Sequence, residues 1–262
     1  MNEILQVNAV SRDFSHGLFR TASVRAVDAV SFSLERGKTL GLVGSSGCGK
    51  TTLLRMIARQ IRPTEGQILW NGQDVSLLCG AALRNYHRKI QLVFQNPEAS
   101  FDPSMRLRDS LLEALEIHRI GSSRDERMEL IGQTLRQVGL PPFLLDRYPH
   151  QISGGEGQRL VICRALLLQP EILLLDEPTS MLDVSVQAHI MNILRELQRE
   201  LGLTYLYITH DIELLGWISD RIGVMQHGKL LELGDRDQVM NAPQHPYTRS
   251  LIRSFLYWGE SQ

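Results

Sequence analysis

GSSGCGKTT, from Gly44 to Thr52, is the stretch of this chain most plainly arranged for chemistry. Its glycines let the backbone curl so that successive N–H groups face one anion, Lys50 brings a positive charge to that anion, and the Thr51 hydroxyl is an oxygen ligand suited to Mg²⁺. The spacing is G-x-x-x-x-G-K-[ST], which makes Gly44, Ser45, Ser46, Gly47, Cys48, Gly49, Lys50, Thr51 and Thr52 candidate nucleotide-binding residues. A second feature lies downstream in ILLLDE, where Asp176 and Glu177 close an apolar run. Adjacent carboxylates often do no more than open a solvated loop. After a buried strand and downstream of a phosphate loop, Asp176 is instead suited to hold a metal ion and Glu177 to orient an attacking water. The chemistry this predicts is phosphoryl transfer from a nucleotide to water.

Such residues need strands to deliver them to one edge. The apolar run Thr39 to Val43 enters the phosphate loop, and the spacing of Thr52, Leu53, Leu54, Met56 and Ile57 predicts the helix that leaves it. Ile4 to Val10 and Ala26 to Leu34 read as strands, and Asn71-Gly72 between apolar stretches predicts a hairpin, so the N-terminal sheet is expected to be partly antiparallel. From about Asn96 to Leu168 helical spacing takes over, with a capping box expected at Ser123 and Glu126. Strands return at Ile172 to Leu175 and Thr204 to Ile208, separated by the amphipathic stretch Val184 to Leu201. That is a parallel βαβ pattern with the helical block inserted in it. A last hairpin is expected to turn at His227-Gly228, ahead of the proline-rich NAPQHPYTRS and a short terminal helix.

Composition narrows the class. The 262 residues are 43% hydrophobic and 22% charged with a formal net charge of −1, a globular balance that lacks the basic excess of a nucleic-acid-gripping protein, and no nucleic-acid partner is expected. The three cysteines form no CxxC pair, which suggests neither a disulfide framework nor a zinc site. MNEILQVNAVSRDF does not read as a signal peptide, and no run approaches the roughly 18 apolar residues of a membrane-spanning helix. Any membrane role is therefore expected to come through partner subunits.

Four further motifs carry a family resemblance over nearly the whole length. ISGGEGQR, Ile152 to Arg159, resembles the signature of ATP-binding-cassette (ABC) transporter nucleotide-binding subunits, and Gln95 in VFQNPEASFDP, Asp183 in SMLD and His210 in YITHD fall in the order that family shows. The resemblance implies a single ABC ATPase domain over 1–262. Within it, 1–95 and 169–240 form a P-loop NTPase core of RecA-like type with an N-terminal antiparallel β subdomain, 96–168 an inserted α-helical signature subdomain, and 241–262 a C-terminal HPYTR tail. It implies ATP and Mg²⁺ as cofactors. Glu177, His210 and Gln95 take catalytic roles, Thr51, Gln95 and Asp176 hold the metal, and Ser153, Gly154, Gly155 and Glu156 face nucleotide on an opposite subunit. Asp183 would report across that dimer interface. Glu156 departs from the commoner LSGGQ and places a carboxylate where an amide is usual, with an expected effect on nucleotide affinity. For adenine stacking the resemblance points to Phe14, with Phe19 as the rival.

LDVSVQAHIMNILRELQRELGLTYLYITHD and NAPQHPYTRSLIRS resemble the ATPases of oligopeptide, dipeptide and nickel importers, and the missing cysteine-rich extension resembles the shorter ATPase of such pairs. The implied partners are a second ABC ATPase, different or identical, two transmembrane permease subunits and, indirectly, a substrate-binding protein. The implied location is the cytoplasmic face of the plasma membrane, as a peripheral subunit, with peptides, nickel or metal chelates as cargo. Two alternatives stay open: the ATPase of a phosphonate-cleaving complex, whose members share the LDVSVQA and HPYT runs, and a soluble ABC ATPase outside transport.

Overall fold

The computed structural model describes residues 2–16 and 22–259. The chain forms two compact units, the first running to Cys79 and resuming at Thr204, the second from Gly80 to Leu203.

In the first unit, β1 (Glu3–His16) and β2 (Ala22–Glu35) pair antiparallel, and β4 (Glu65–Trp70) and β5 (Gln73–Asp74) extend the sheet in the order β2-β1-β4-β5. The register of β1 on β2 slips between Val7 and Val10. Ala9 and Ala29 both take φ of 47° there, and their N–H groups donate to Ser31 Oγ at 2.8 Å and Ser11 Oγ at 2.9 Å. Two hydroxyls thus satisfy the amides the bulge takes out of the ladder. Asn71 and Gly72, with φ of 49° and 77°, make the two-residue hairpin turn that the dipeptide predicts.

The same unit carries β3 (Thr39–Val43) between β8 (Thr204–Thr209) and β9 (Arg221–Gln226), parallel to both, with β10 (Lys229–Asp235) antiparallel on β9. β3 and β8 are buried throughout, which is why they read as continuous apolar runs. α1 (Lys50–Ile57) buries Leu53, Leu54, Met56 and Ile57, the apolar set of its sequence. The β9–β10 turn falls at His227-Gly228 as expected, with φ of 48° and 81°.

α7 (Ile212–Ile218), α8 (Arg236–Asn241) and α9 (Pro246–Gly259) complete the unit. α9 starts inside HPYTR, with Pro246 at the first helical position, where its missing N–H is harmless. Glu232 on β10 holds this tail, its carboxylate accepting from the Gln244 N–H at 2.8 Å, the His245 N–H at 3.0 Å and Gln238 Nε2 at 3.2 Å. Burial pushes the carboxyl up, but these donors outweigh it and hold Glu232 below the usual carboxylate range.

The second unit contains α2 (Gly80–Lys89), β6 (Ile90–Val93), α3 (Leu107–Ile117), α4 (Arg124–Gln137), α5 (Gly154–Leu167), β7 (Ile172–Asp176) and α6 (Val184–Leu201). β6 and β7 run parallel, Val93 opposite Leu175. Leu107, Leu111, Leu115, Ile131, Leu135, Leu160 and Ile162 are buried, giving the helices an apolar core of their own. At α4 the Ser123 hydroxyl accepts the Glu126 N–H at 3.1 Å, but the Glu126 carboxylate turns to Ser122, accepting its N–H at 2.7 Å. The expected reciprocal box is therefore shifted by one residue on its carboxylate side.

Candidate functional site

The phosphate loop is built between β3 and α1 and fixed from behind by the β9–β10 hairpin. The Gly228 N–H donates to Cys48 O at 3.0 Å, and the Asp28 N–H donates to Gly228 O at 2.9 Å. Glycine is required at two points. A Cβ on Gly44 would stand 2.2 Å from Met225 O, and one on Gly49, whose φ is 107°, would stand 2.2 Å from Ala26 O. Ser45, Ser46 and Gly47 form an exposed rim, and nothing lies within 4 Å of a Cβ added to Gly47. Thr51 is exposed and Thr52 half-buried just inside α1.

Lys50 is only 6% exposed, and its Nζ donates to Gly44 O at 2.6 Å and Ser45 O at 3.1 Å, with Cys48 Sγ at 3.7 Å. The ammonium is held at the loop by neutral carbonyls. Gly49, the N-cap of α1, supplies no side-chain cap, and no acidic residue sits in the first turn. The first N–H groups of α1 and a buried lysine converge on one loop, a donor set that fits a phosphate. Val43 lies opposite Thr209 in the parallel pair, so Gly44 and His210 leave adjacent strands at the same edge. Asp211, next in the chain, caps α7 by accepting the Glu213 N–H at 2.8 Å.

Phe14 lies on β1, half-buried, with the Arg12 guanidinium 4.9 Å from its ring centroid. Arg12 is anchored on Arg62 O at 2.8 Å, so this ring meets a cation on the chain itself. Phe19 lies outside the described residues.

In the second unit, the pairing of Val93 with Leu175 delivers Gln95 and Glu177 to one end of the parallel pair. Gln95 Nε2 donates to Ser180 Oγ at 2.9 Å, and Ser180 Oγ donates to Glu177 O at 3.2 Å. Ser180 thus ties the glutamine to the loop that carries the glutamate. Ser180, the first residue of the SMLD run, has no role in the sequence motifs; its position three residues past Glu177 is the signal. Asp176 is 7% exposed at the end of β7, and Glu177 takes a left-handed φ of 47°, an uncommon conformation for a residue with a side chain. The Thr51 hydroxyl, the Asp176 carboxylate and the Gln95 amide oxygen are hard oxygen donors, the chemistry Mg²⁺ accepts.

Ser153 is the N-cap of α5, its hydroxyl accepting the Glu156 N–H at 3.3 Å. Glu156 folds back: its Oε2 accepts the Ser153 N–H at 2.8 Å and Ser153 Oγ at 2.9 Å. The Ser153 N–H, helped by the hydroxyl and by Arg147 and Arg159, holds this carboxyl below its ordinary range against a smaller desolvation effect. Gly155 must be small, because an added Cβ would stand 2.5 Å from Val186 Cγ1 on α6, and Gly154 packs against Leu182. Asp183 caps α6, accepting the Val186 N–H at 2.9 Å and Ser185 Oγ at 2.7 Å, and the same contacts depress its pKa. On either side of it Met181 and Val184 are exposed, at 66% and 82%.

Among the described residues no helix is long and apolar enough to cross a membrane. The sequence profile of the ABC transporter family matches residues 27–180. The chain is 48% identical over 256 residues to the oligopeptide transport ATP-binding protein AppF of Bacillus subtilis, covering 96% of this chain and 78% of that one. It is 47% identical to OppF of the same organism over 90% of this chain and 78% of that one. Among solved structures, CbiO1 of Clostridium perfringens, part of the ABC transporter complex CbiONQ, aligns with a TM-score of 0.79 at 26% identity, covering 92% of both chains. The ATP-binding cassette MJ0796, as a dimer in a post-hydrolysis state with ADP and Pi, aligns with a TM-score of 0.79 at 28% identity over 88% of this chain and 98% of that one.

Proposed function

Because this chain belongs to the ABC transporter family and is an ATPase of that family, we propose that it powers a peptide importer, as one half of a nucleotide-sandwiching pair docked on two permease subunits at the inner face of the membrane. The observation that carries the cargo class is likeness along almost the whole chain to oligopeptide transport ATP-binding proteins. Likeness to cassettes solved as dimers supports the sandwich. So does the apolar exposure of Met181 and Val184 around Asp183, a surface suited to a second subunit.

The residues divide the work. The α1 N–H groups and Lys50 bind the ATP phosphates, and Lys50 exchanges its loop carbonyls for phosphate oxygens. Thr51, Asp176 and Gln95 would hold Mg²⁺, which when bound would neutralise charge on the phosphate oxygens. Glu177 orients the attacking water and accepts its proton, Gln95 positions that water, and His210 donates to the γ-phosphate. Ser153 and the α5 amides meet the γ-phosphate held by the opposite subunit. ATP thereby contributes contacts to both halves of the closed pair, and loss of phosphate removes them.

Co-purification from membranes tests the importer reading: two permeases and a second ATPase should come with this chain and stimulate its turnover. Capture of lyase subunits in their place would overturn it. Glu177→Gln should keep ATP binding, trap the closed pair and lower turnover by about 10²–10⁴-fold. Turnover at the parental rate would remove Glu177 from its role.

A further inference from the structure

Far from any motif above, α2 and α3 line a cavity of about 370 Å³ in the second unit, formed by Arg84, Asn85, Arg88, Ile117, His118 and Arg119. It contains no carboxylate, and among the described residues none of its three arginines has an acidic partner. Neighbouring cations do pair, Lys89 with Glu171 at 3.5 Å and Arg127 with Glu116 at 3.2 Å. Arg88 is pinned by neutral acceptors, Nε on Leu168 O and Nη2 on Gln169 Oε1, both at 3.1 Å, which fix the guanidinium without cancelling its charge. In a chain of net charge −1, this local excess does not follow from overall composition.

Basic residues in the last turn of a helix complement its dipole, which accounts for Arg88 and His118. It does not account for Arg84, a turn earlier, or for Arg119, beyond the end of α3. Ile120 N–H donates to Leu115 O at 2.8 Å and Arg119 N–H to Glu116 O at 3.0 Å, the bond pair of a Schellman motif with Arg119 at its left-handed position, φ 55°. Glycine is the least costly residue there, so the helix-end geometry itself does not call for an arginine. The surroundings act on His118 in the same sense: burial first, then Arg88 and His87, draw its pKa down.

The geometry points to an anion site for a phosphate-bearing ligand, gripped by the guanidinium forks of Arg84 and Arg119 with Arg88 fixed beside them. Guanidinium matches phosphate oxygens two at a time, and the cavity has room for a phosphate ester or a diphosphate. Two sources share that chemistry, the headgroup of an anionic lipid and a free phosphate compound. Ile117, 66% exposed on the rim, is an apolar neighbour that a lipid would use and a free phosphate would not.

The test uses the full chain carrying Arg84→Ala with Arg119→Gly, the second change relieving the left-handed strain so that folding is retained. A control with Arg124→Ala and Arg136→Ala removes the same charge from exposed sites elsewhere in the unit. Pyrophosphate is titrated calorimetrically into these variants in a Lys50→Ala background, so that the phosphate loop does not answer, and flotation compares phosphatidylglycerol with phosphatidylcholine vesicles. At least one probe should bind about tenfold more weakly to the Arg84/Arg119 variant than to the control. A loss confined to phosphatidylglycerol vesicles assigns the site to a lipid headgroup, and a loss with pyrophosphate assigns it to a free phosphate compound. If neither probe separates the variant from the control, the proposal is overturned. This outcome is independent of the nucleotide reading, which uses none of these residues.

Discussion

Replacing Glu156 by glutamine should weaken the isolated chain and tighten the ATP-bound pair. In the structure the carboxylate oxygen sits 2.9 Å from Ser153 Oγ. A γ-phosphate oxygen that took the hydroxyl's one proton from Glu156 would lie about 2.8 Å beyond Oγ, placing two negative charges about 5–6 Å apart. At an effective dielectric between about 20 and 80 their repulsion is roughly 0.7–3 kcal/mol, and the lower part of that range applies to a half-buried group with solvent close by. Removing the charge should therefore tighten the sandwich by about 1 kcal/mol, or fivefold, at each signature. The amide oxygen of glutamine can still accept the Ser153 N–H, but the charge-assisted share of that bond and its complement to the α5 dipole are lost, about 0.5–1 kcal/mol of stability. Thermal unfolding should show the melting temperature falling by about 1–4 °C. Sedimentation velocity at graded ATP, in a Glu177→Gln background that stops turnover, should show the pair forming at lower nucleotide concentration. If Glu156→Gln pairs no more readily than its parent, the reasoning fails. The pH dependence has a fixed sign. The folded pKa of Glu156 is depressed, so its stabilisation is present above the ordinary carboxylate range and is lost as pH falls through the folded value. Glu156→Gln should remove that part of the acid sensitivity.

Gly49→Ala must force a Cβ to within 2.2 Å of Ala26 O at a φ of 107°, and should destabilise the chain by more than about 2 kcal/mol in urea while abolishing ATP binding. Glu232→Gln removes a charge shared by three N–H donors and should release the tail at a cost of about 2 kcal/mol, read by faster proteolysis after 243. Cys48 lies 3.7 Å from Lys50 Nζ inside the loop, so its alkylation should block ATP binding and ATP should slow the reaction; exposed Cys79 should react equally with and without nucleotide. Mass spectrometry of the labelled peptides separates the two.

What was legible in the sequence was whatever depends on neighbours in the chain. The runs 39–43 and 172–175 are mainly apolar because their strands are buried on both faces, and both two-residue hairpins announced themselves through Asn71-Gly72 and His227-Gly228. α2, α7 and α8 escaped because they are short or polar, and β6 because Ile90 to Val93 is four residues running straight on from α2. Equally hidden were contacts joining distant residues. Nothing local says that Glu232 holds the 244–245 amides, or that Ser180 answers Gln95 across 85 positions. Arg12 over Phe14 is a near neighbour instead, two residues away on one strand, and escaped because β1 runs on to His16 past the expected Val10.

The caps of the helices, with the loop before α1, say why that helix is the one suited to a nucleotide. α4, α5, α6 and α7 each begin on a serine or aspartate whose oxygen takes a first-turn amide, and α3 and α8, without such a cap, carry Asp109 and Asp237 in the first turn. α1 has neither. Its leading amides open onto a loop in which Gly44 and Gly49 cannot carry side chains and the buried lysine rests on two carbonyls. An anion there completes the helix as Ser153 and Glu156 complete α5. Hence ATP should raise the stability of the chain by capping α1, and Lys50→Ala should reduce that gain more than it reduces the stability of the ATP-free chain, since the lysine forms only neutral contacts until phosphate arrives.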